Sequence, residues 1–166
     1  MAAVSLRLRQ VSQQDLDRGL GHLESGFVAT LDNEVYDAET CSDLLCDLGE
    51  NWEFVHLAVA GQRHQDDGIS GLPVLGGERL GEVGPTDRDL ILKLTTDEVA
   101  AAAGFLREAD VSALMTAHRP LLAERTGGIL PDVFLNMIGS QVADLRRFYL
   151  SAAEAGRAVV KRSYAP

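Results

Sequence analysis

The sequence contains few cysteines and few lysines, and it has no long apolar run. Its two cysteines, Cys41 and Cys46, are too few for a disulfide framework, so we expect two reduced thiols in a cytosolic protein. Arginine outnumbers lysine by 13 to 2, an excess that indicates codon bias and assigns no single arginine a function. No stretch approaches the roughly 18 to 20 apolar residues that are needed to cross a bilayer. The sequence therefore predicts a cytoplasmic protein without a membrane segment.

The first ten residues alternate charged and apolar types, which is not the pattern of a secretory signal. A chain of 166 residues, of which 46% are hydrophobic, can bury a core without metal ions or disulfide bonds. No linker is long enough to divide the chain. We therefore expect residues 1–166 to form a single domain.

The negative charge of the chain is concentrated in one segment. The net charge is −10, and residues 12–67 contain thirteen acidic residues against two arginines, so this segment carries the whole net charge. Such a surface repels phosphate backbones and anionic lipids, which argues against nucleic-acid or membrane binding and suits a basic protein partner. The simpler alternative is that acidic helices keep the protein in solution.

Two strand-to-helix units follow the same pattern. Residues 4–8 alternate apolar and polar side chains, which is typical of a half-buried strand. Ser12 and Asp15 then match a capping box, which predicts the start of a helix. Thr95 and Glu98 repeat this arrangement after a second strand-like run.

The same periodicities predict the remaining elements. In chain order these are a helix at about Asp43–Ala60 that ends at Gly61, short strands at Pro73–Leu75 and Arg79–Val83, a strand at Asp89–Leu94, a helix from Asp110 that Pro120 disturbs, a long helix from near Pro131, and a final strand at Ala158–Tyr164. Helices outnumber strands and do not alternate with them one for one. The expected fold is therefore α+β, with a small mixed or antiparallel sheet packed against about five helices.

No catalytic or metal-binding constellation is evident in the sequence. The segment from Gly76 to Gly81 is rich in glycine, but it lacks the spacing of a phosphate-binding loop and indicates a turn instead. No two of the four histidines lie at metal-ligand spacing on a helix, so neither a metal nor a cofactor is expected. Whether the protein is an enzyme stays open at this point.

Five residues remain candidates for ligand binding. His56 follows Trp52 by one helical turn, so both rings lie on one helix face, either beside a pocket or in the core. The hydroxyl of Tyr149 either binds a ligand or completes the core at its rim. Gly76 and Gly77 are included as a turn that could approach a ligand. The polar loop from Gln62 to Gly71 could act as a lid.

The order of these features resembles that of a known bacterial family. The motifs are the opening strand and helix start at Ser5–Leu16, Trp52-x3-His56-x4-Gly61, Leu75-Gly76-Gly77, Leu94–Val99, Leu130-Pro131 and Phe148-Tyr149-x2-Ala152-Ala153. Together they resemble the YfbM-like family, a bacterial domain of unknown function (number 1877). Family members commonly show an Asp-Lys pair where this chain has Gly49-Glu50. The resemblance implies a small cytosolic α+β protein and implies no reaction.

Two functional hypotheses follow from the sequence. The first is a non-catalytic binding or regulatory protein, of immunity type for example, that engages a basic partner through its acidic face. The alternative is a small-molecule-binding protein or enzyme with a pocket near Trp52 and His56. The sequence does not predict an oligomeric state.

Overall fold

A computed structural model describes residues 4–62, 68–82 and 90–164. Five strands form one sheet in the order β2-β1-β5-β4-β3, and every neighbouring pair is antiparallel. The strands are β1 (Ser5–Val11), β2 (Leu45–Gly49), β3 (Glu78–Glu82), β4 (Leu90–Leu94) and β5 (Ala158–Tyr164). The expected α+β fold with a closing strand at Ala158–Tyr164 is confirmed.

The described part of the chain contains seven α-helices and a short 3-10 helix at Ile69–Gly71. The α-helices are α1 (Gln13–Asp17), α2 (Leu20–Ala29), α3 (Asn33–Cys41), α4 (Trp52–Ala60), α5 (Thr96–Glu108), α6 (Val111–Arg125) and α7 (Asp132–Glu154). The long C-terminal helix was expected, whereas α3 was not. None of the nine residues of α3, all of them described, is buried, so α3 has no apolar periodicity to reveal it.

The sheet lies between two helical layers. Leu6 and Leu8 of β1 point to the larger core, which they share with α4, α5 and α7. Val11 belongs to a smaller core on the opposite face, together with Leu23 and Phe27 of α2. Because side chains alternate along a strand, β1 supplies residues to both layers. The long helices thus cover one face of the sheet, and α1 and α2 cover the other.

Both predicted capping boxes are present. The Ser12 hydroxyl accepts a hydrogen bond from the Asp15 amide at 3.1 Å, and the Asp15 carboxylate accepts one from the Ser12 amide at 3.1 Å. The hydrogen bonds from Ser12, followed by that from His22, lower the pKa of Asp15 to about 2. Thr95 and Glu98 cap α5 in the same way. Local side-chain chemistry therefore sets where these two helices begin.

The prediction of a helix at about Asp43–Ala60 is wrong for the first half of this segment. Leu45–Gly49 forms strand β2, and the helix begins only at Trp52. Leu45 and Leu48 are three residues apart, a spacing that fits a helix and places them on opposite faces of a strand, and pairing with β1 overrides this local pattern. That pairing places Arg7 opposite Asp47, and their side chains form an ion pair at 2.8 Å.

Three other expectations are corrected or limited. Pro73–Leu75 is a turn and not a strand. Helix α6 continues through Pro120 to Arg125, because the proline is exposed and water can reach the carbonyl whose hydrogen bond it removes. The predicted strand ends at Val83 and Asp89 lie outside the described residues.

Replacing Thr95 by alanine is expected to lower the free energy of unfolding by about 1 kcal/mol, because the Glu98 amide loses its capping acceptor. Urea denaturation measures the change. Thr96→Ala is the matched control, because Thr96 is exposed and is the first residue within α5. Equal losses in the two variants would contradict a specific capping role.

Candidate functional site

A pocket lies beside the N-terminal half of α4. Its volume is about 200 Å³, and it is lined by Trp52, Glu53, His56 and Leu57 of α4 together with Arg125, the last residue of α6. The four α4 residues share one face because they are one and four positions apart. The structure therefore brings together Trp52 and His56, two of the five candidate residues, at one pocket.

The aromatic side of this pocket is held in place by the residue that precedes β1. The Trp52 indole Nε1 donates a hydrogen bond to the Val4 carbonyl at 2.8 Å, which leaves the ring face available as a wall. His56 is only 2% exposed, so it forms part of the floor and not the rim. Between these two residues in the chain, Phe54 packs edge-on against Phe134 of α7, with ring centroids 4.9 Å apart. The α4 end of the pocket is therefore rigid.

An ion pair stands at the rim of the pocket. Arg125 donates from Nε to Oε2 of Glu53 at 3.1 Å and from Nη2 to the same oxygen. Both side chains are about half exposed, so the ion pair can be reached from solvent. The rim thus presents one negative and one positive group side by side, and their charges cancel.

The C-terminal half of α4 is joined to α6 by a histidine. His118 of α6 donates from Nδ1 to the Ala58 carbonyl, at 2.7 Å, when that nitrogen carries the proton. Gly61, which ends α4 with a φ of 70°, lies against the same imidazole: a Cβ there would stand 2.5 Å from Nε2. This contact sets the position of α6 and hence that of Arg125 at its end.

The other three candidate residues do not line the pocket. Tyr149 is fully buried, and its hydroxyl donates to the Pro73 carbonyl at 2.9 Å, while burial raises the pKa of the phenol. Gly76 passes so close to Leu72 that a Cβ would stand 2.7 Å from its Cα. Gly77 has a φ of 118° and lies against the Lys93 carbonyl. These three residues shape a turn against the core.

The same turn is held by a buried lysine that the sequence analysis missed. Lys161 of β5 is fully buried, and its Nζ donates to the Gly76 carbonyl at 2.7 Å and to the Leu72 carbonyl. Desolvation lowers the pKa of this amine well below its usual value. A signal was present in the sequence, because the two-residue period of a strand places Lys161 on the same face as buried Val159.

Across the sheet from the pocket, arginines of β1 neutralise part of the acidic segment. Arg9 binds Glu39 through two hydrogen bonds, of 3.0 and 2.6 Å, and this contact raises the pKa of Arg9. Arg7 pairs with Asp47 and lies over the ring of Tyr36, 5.1 Å from its centroid. Helix α3 is thus attached to the sheet largely through polar contacts.

The thiols and carboxylates form no further cluster within residues 4–62, 68–82 and 90–164. Cys41 is exposed and Cys46 is buried, and both are free thiols. Among these residues no group of three or more His, Cys, Asp or Glu side chains is placed to hold a metal ion. His64 and residues 63–67 of the loop considered as a lid lie outside the described residues.

In the part of the chain that the structure describes, no helix combines the length and the apolar character that crossing a bilayer requires.

The fold and the pocket define a small α+β protein with a five-stranded antiparallel sheet. The chain belongs to the family described as a domain of unknown function (DUF1877), whose model matches residues 4–161. It is similar to the crystal structure of a protein of unknown function, YfbM from Escherichia coli. The TM-score is 0.60 at 15% identity, covering 96% of this chain and 99% of that chain. No curated protein matches the chain. The likeness to YfbM shows a shared fold.

Gly49-Glu50, the position where the family resemblance implies an Asp-Lys pair, lies in the turn that leads into the pocket helix. Gly49 ends β2 with a φ of 53°, a conformation that favours glycine, and Glu50 is exposed. This turn comes directly before Asn51, the residue that precedes α4. Gly49 and Glu50 thus lie close in the chain to Trp52 and to the pocket wall.

Replacing Lys161 by methionine is expected to lower the free energy of unfolding by about 2 kcal/mol, because the carbonyls of Leu72 and Gly76 would lose a buried donor. Urea denaturation measures the change. Lys93→Met is the control, because Lys93 is the only other lysine and pairs with an exposed carboxylate. If Lys161→Met unfolded with the same free energy as the wild type, the stabilising role of Lys161 would be contradicted.

The same variant should change how stability depends on pH. Between the folded pKa of Lys161 and its unfolded value of 10.5, the unfolded chain binds more protons than the native one. The contribution of this residue to stability therefore rises with pH over that interval. The difference in unfolding free energy between wild type and Lys161→Met should increase as the pH rises toward 10.5. A constant difference would contradict the lowered pKa.

The two thiols should react at very different rates. Cys41 is exposed, whereas desolvation raises the pKa of buried Cys46 to about 12. An aromatic disulfide reagent should therefore modify one thiol rapidly in the native protein and both thiols in urea. Cys41→Ser should remove the fast phase. Two fast native phases would show that Cys46 is accessible.

Proposed function

We propose that the protein is a non-catalytic binding protein, of regulatory or immunity type, that holds a basic protein partner against α2 and α3. The observation that carries the proposal is the composition of α3 and of the turn before it. The exposed carboxylates are on α3, a helix that contributes no residue to either core, and exposed apolar side chains lie just before it in the chain. A surface of this kind can combine electrostatic steering with apolar contact.

Fewer carboxylates are available to a partner than the charge count of residues 12–67 suggests. Five carboxylates of residues 12–67 are already paired, four of them with arginines and one with a histidine; they are Asp15, Glu39, Asp43, Asp47 and Glu53. Glu34 and Asp37 are exposed and have no ion pair within the described residues. On α3, these are the two carboxylates available to a basic partner, because Glu39 is paired with Arg9.

Apolar side chains lie directly beside these charges. Val28 is 55% exposed at the end of α2, and Leu31 is 69% exposed in the turn to α3. Asp32 follows and caps α3 by accepting hydrogen bonds from the amides of Glu34 and Val35. The surface formed by Val28, Leu31, Glu34 and Asp37 is called here the α2–α3 surface. It offers an apolar centre with an acidic edge, the usual arrangement of an interface.

Affinity purification with charge-reversed variants tests this proposal. The wild-type chain is immobilised, native lysate is applied at low and at high salt, and the retained proteins are identified and then purified for direct binding measurements. A specific basic partner should bind less well at high salt. The double variant Glu34→Lys/Asp37→Lys should weaken its binding by about tenfold or more, mainly by slowing association.

The matched control makes the same change in net charge on the other side of the sheet. Glu108→Lys/Glu154→Lys alters exposed carboxylates of α5 and α7 and should leave binding within about twofold of wild type. Leu31→Ser should weaken binding without changing its salt dependence. The proposal fails if no partner is retained, if retention does not depend on ionic strength, or if both double variants lose binding equally.

A further inference from the structure

The pocket beside α4 has the size of a small-molecule site. Its volume of about 200 Å³ exceeds the roughly 150 Å³ of a cavity that holds benzene, and it lies below the roughly 300 to 1,000 Å³ of pockets for drug-sized ligands. A compact molecule with one ring or one branched chain would fill it. The pocket lies across the sheet from the α2–α3 surface and does not depend on the function proposed for that surface.

The two charged side chains at the rim of the pocket restrict which ligands it can bind. Both hydrogen bonds of the ion pair end on Oε2 of Glu53, so Oε1 and Nη1 of Arg125 keep hydrogen-bonding capacity within the part of the chain that the structure describes. A ligand with a single charge would be attracted by one member of the pair and repelled by the other, so it would gain little from the rim. A ligand that carries both charges matches both groups.

The remaining walls suit an apolar body. Leu57 is buried, and the Trp52 ring is held by its hydrogen bond to Val4, so little side-chain freedom is lost on binding. The buried imidazole of His56 adds a polar group at the floor. Aromatic and aliphatic walls with a few converging polar groups are typical of small-molecule sites.

From this geometry we infer that the pocket binds a small zwitterion of the amino-acid class. The ammonium group of the ligand lies against Glu53, its carboxylate lies against Arg125, and its side chain packs on Trp52 and Leu57. No covalent step is involved. The inference gives the pocket a recognition role that is separate from partner binding.

Fluorescence titration tests this inference directly, because Trp52 is the only tryptophan of the chain and lines the pocket. The standard free amino acids are titrated individually, followed by phenethylamine and 3-phenylpropionate, which each lack one of the two charges of phenylalanine. At least one amino acid should give a saturable change. Analogues of phenylalanine or of the best ligand that lack one charge should bind at least about tenfold more weakly.

Variants of the ion pair assign the two charges separately. Glu53→Gln and Arg125→Gln should each weaken binding of the amino acid by about tenfold. In Glu53→Gln the advantage of the amino acid over its deaminated analogue should shrink, since the partner of the ammonium group is changed. Arg147→Gln is the control, because Arg147 is also exposed and paired with a carboxylate but lies outside the pocket.

The inference is overturned if no amino acid produces a saturable change up to about 10 mM. It is also overturned if the analogues that lack one charge bind as well as the amino acid, or if Arg147→Gln has the same effect as the ion-pair variants. Thermal unfolding of each variant confirms that the fold is retained. Partner binding through the α2–α3 surface is measured independently, so either result can fail without the other.

Discussion

The architecture depends on the double burial of strand β5. This strand pairs with β1 on one side and β4 on the other, and its buried residues point alternately to both faces of the sheet. A central strand with two buried faces requires a helical layer on each side. The long helices α5 and α7 supply the larger layer, and α1 and α2 supply a smaller one. The remaining helices and strands are arranged around this central strand and its two covering layers.

Burying Lys161 on this strand links the sheet to the irregular segment before β3. Its Nζ binds two carbonyls of the turn, and Tyr149 binds a third, so the backbone polar groups of a buried turn find partners in the core. Gly76 and Gly77 permit the close approach that these contacts need. The glycine pair and the tyrosine are therefore explained by packing, whereas Trp52 and His56 line an open pocket.

The two helical layers differ in how they are attached, and this difference separates the two proposed roles. Helix α4 is anchored by an indole hydrogen bond, an aromatic contact and His118, which gives the pocket rigid walls. Helix α3 is attached by Arg9 and Arg7 through ionic and cation–π contacts, and it leaves its outer face to solvent. Rigid walls suit recognition of a small molecule, and an exposed polar helix suits a macromolecular partner.

The sequence by itself determined the features that arise from local chemistry. Capping boxes at Ser12 and Thr95, the helix end at Gly61 and the spacing of Trp52 and His56 all depend on a few neighbouring residues, so they could be predicted. Tertiary structure alone decided that Leu45–Gly49 is a strand, because the spacing of its two leucines favours a helix and only pairing with β1 overrides it. It likewise decided which carboxylates remain exposed and that Arg125 meets Glu53, since these contacts join residues far apart in the chain.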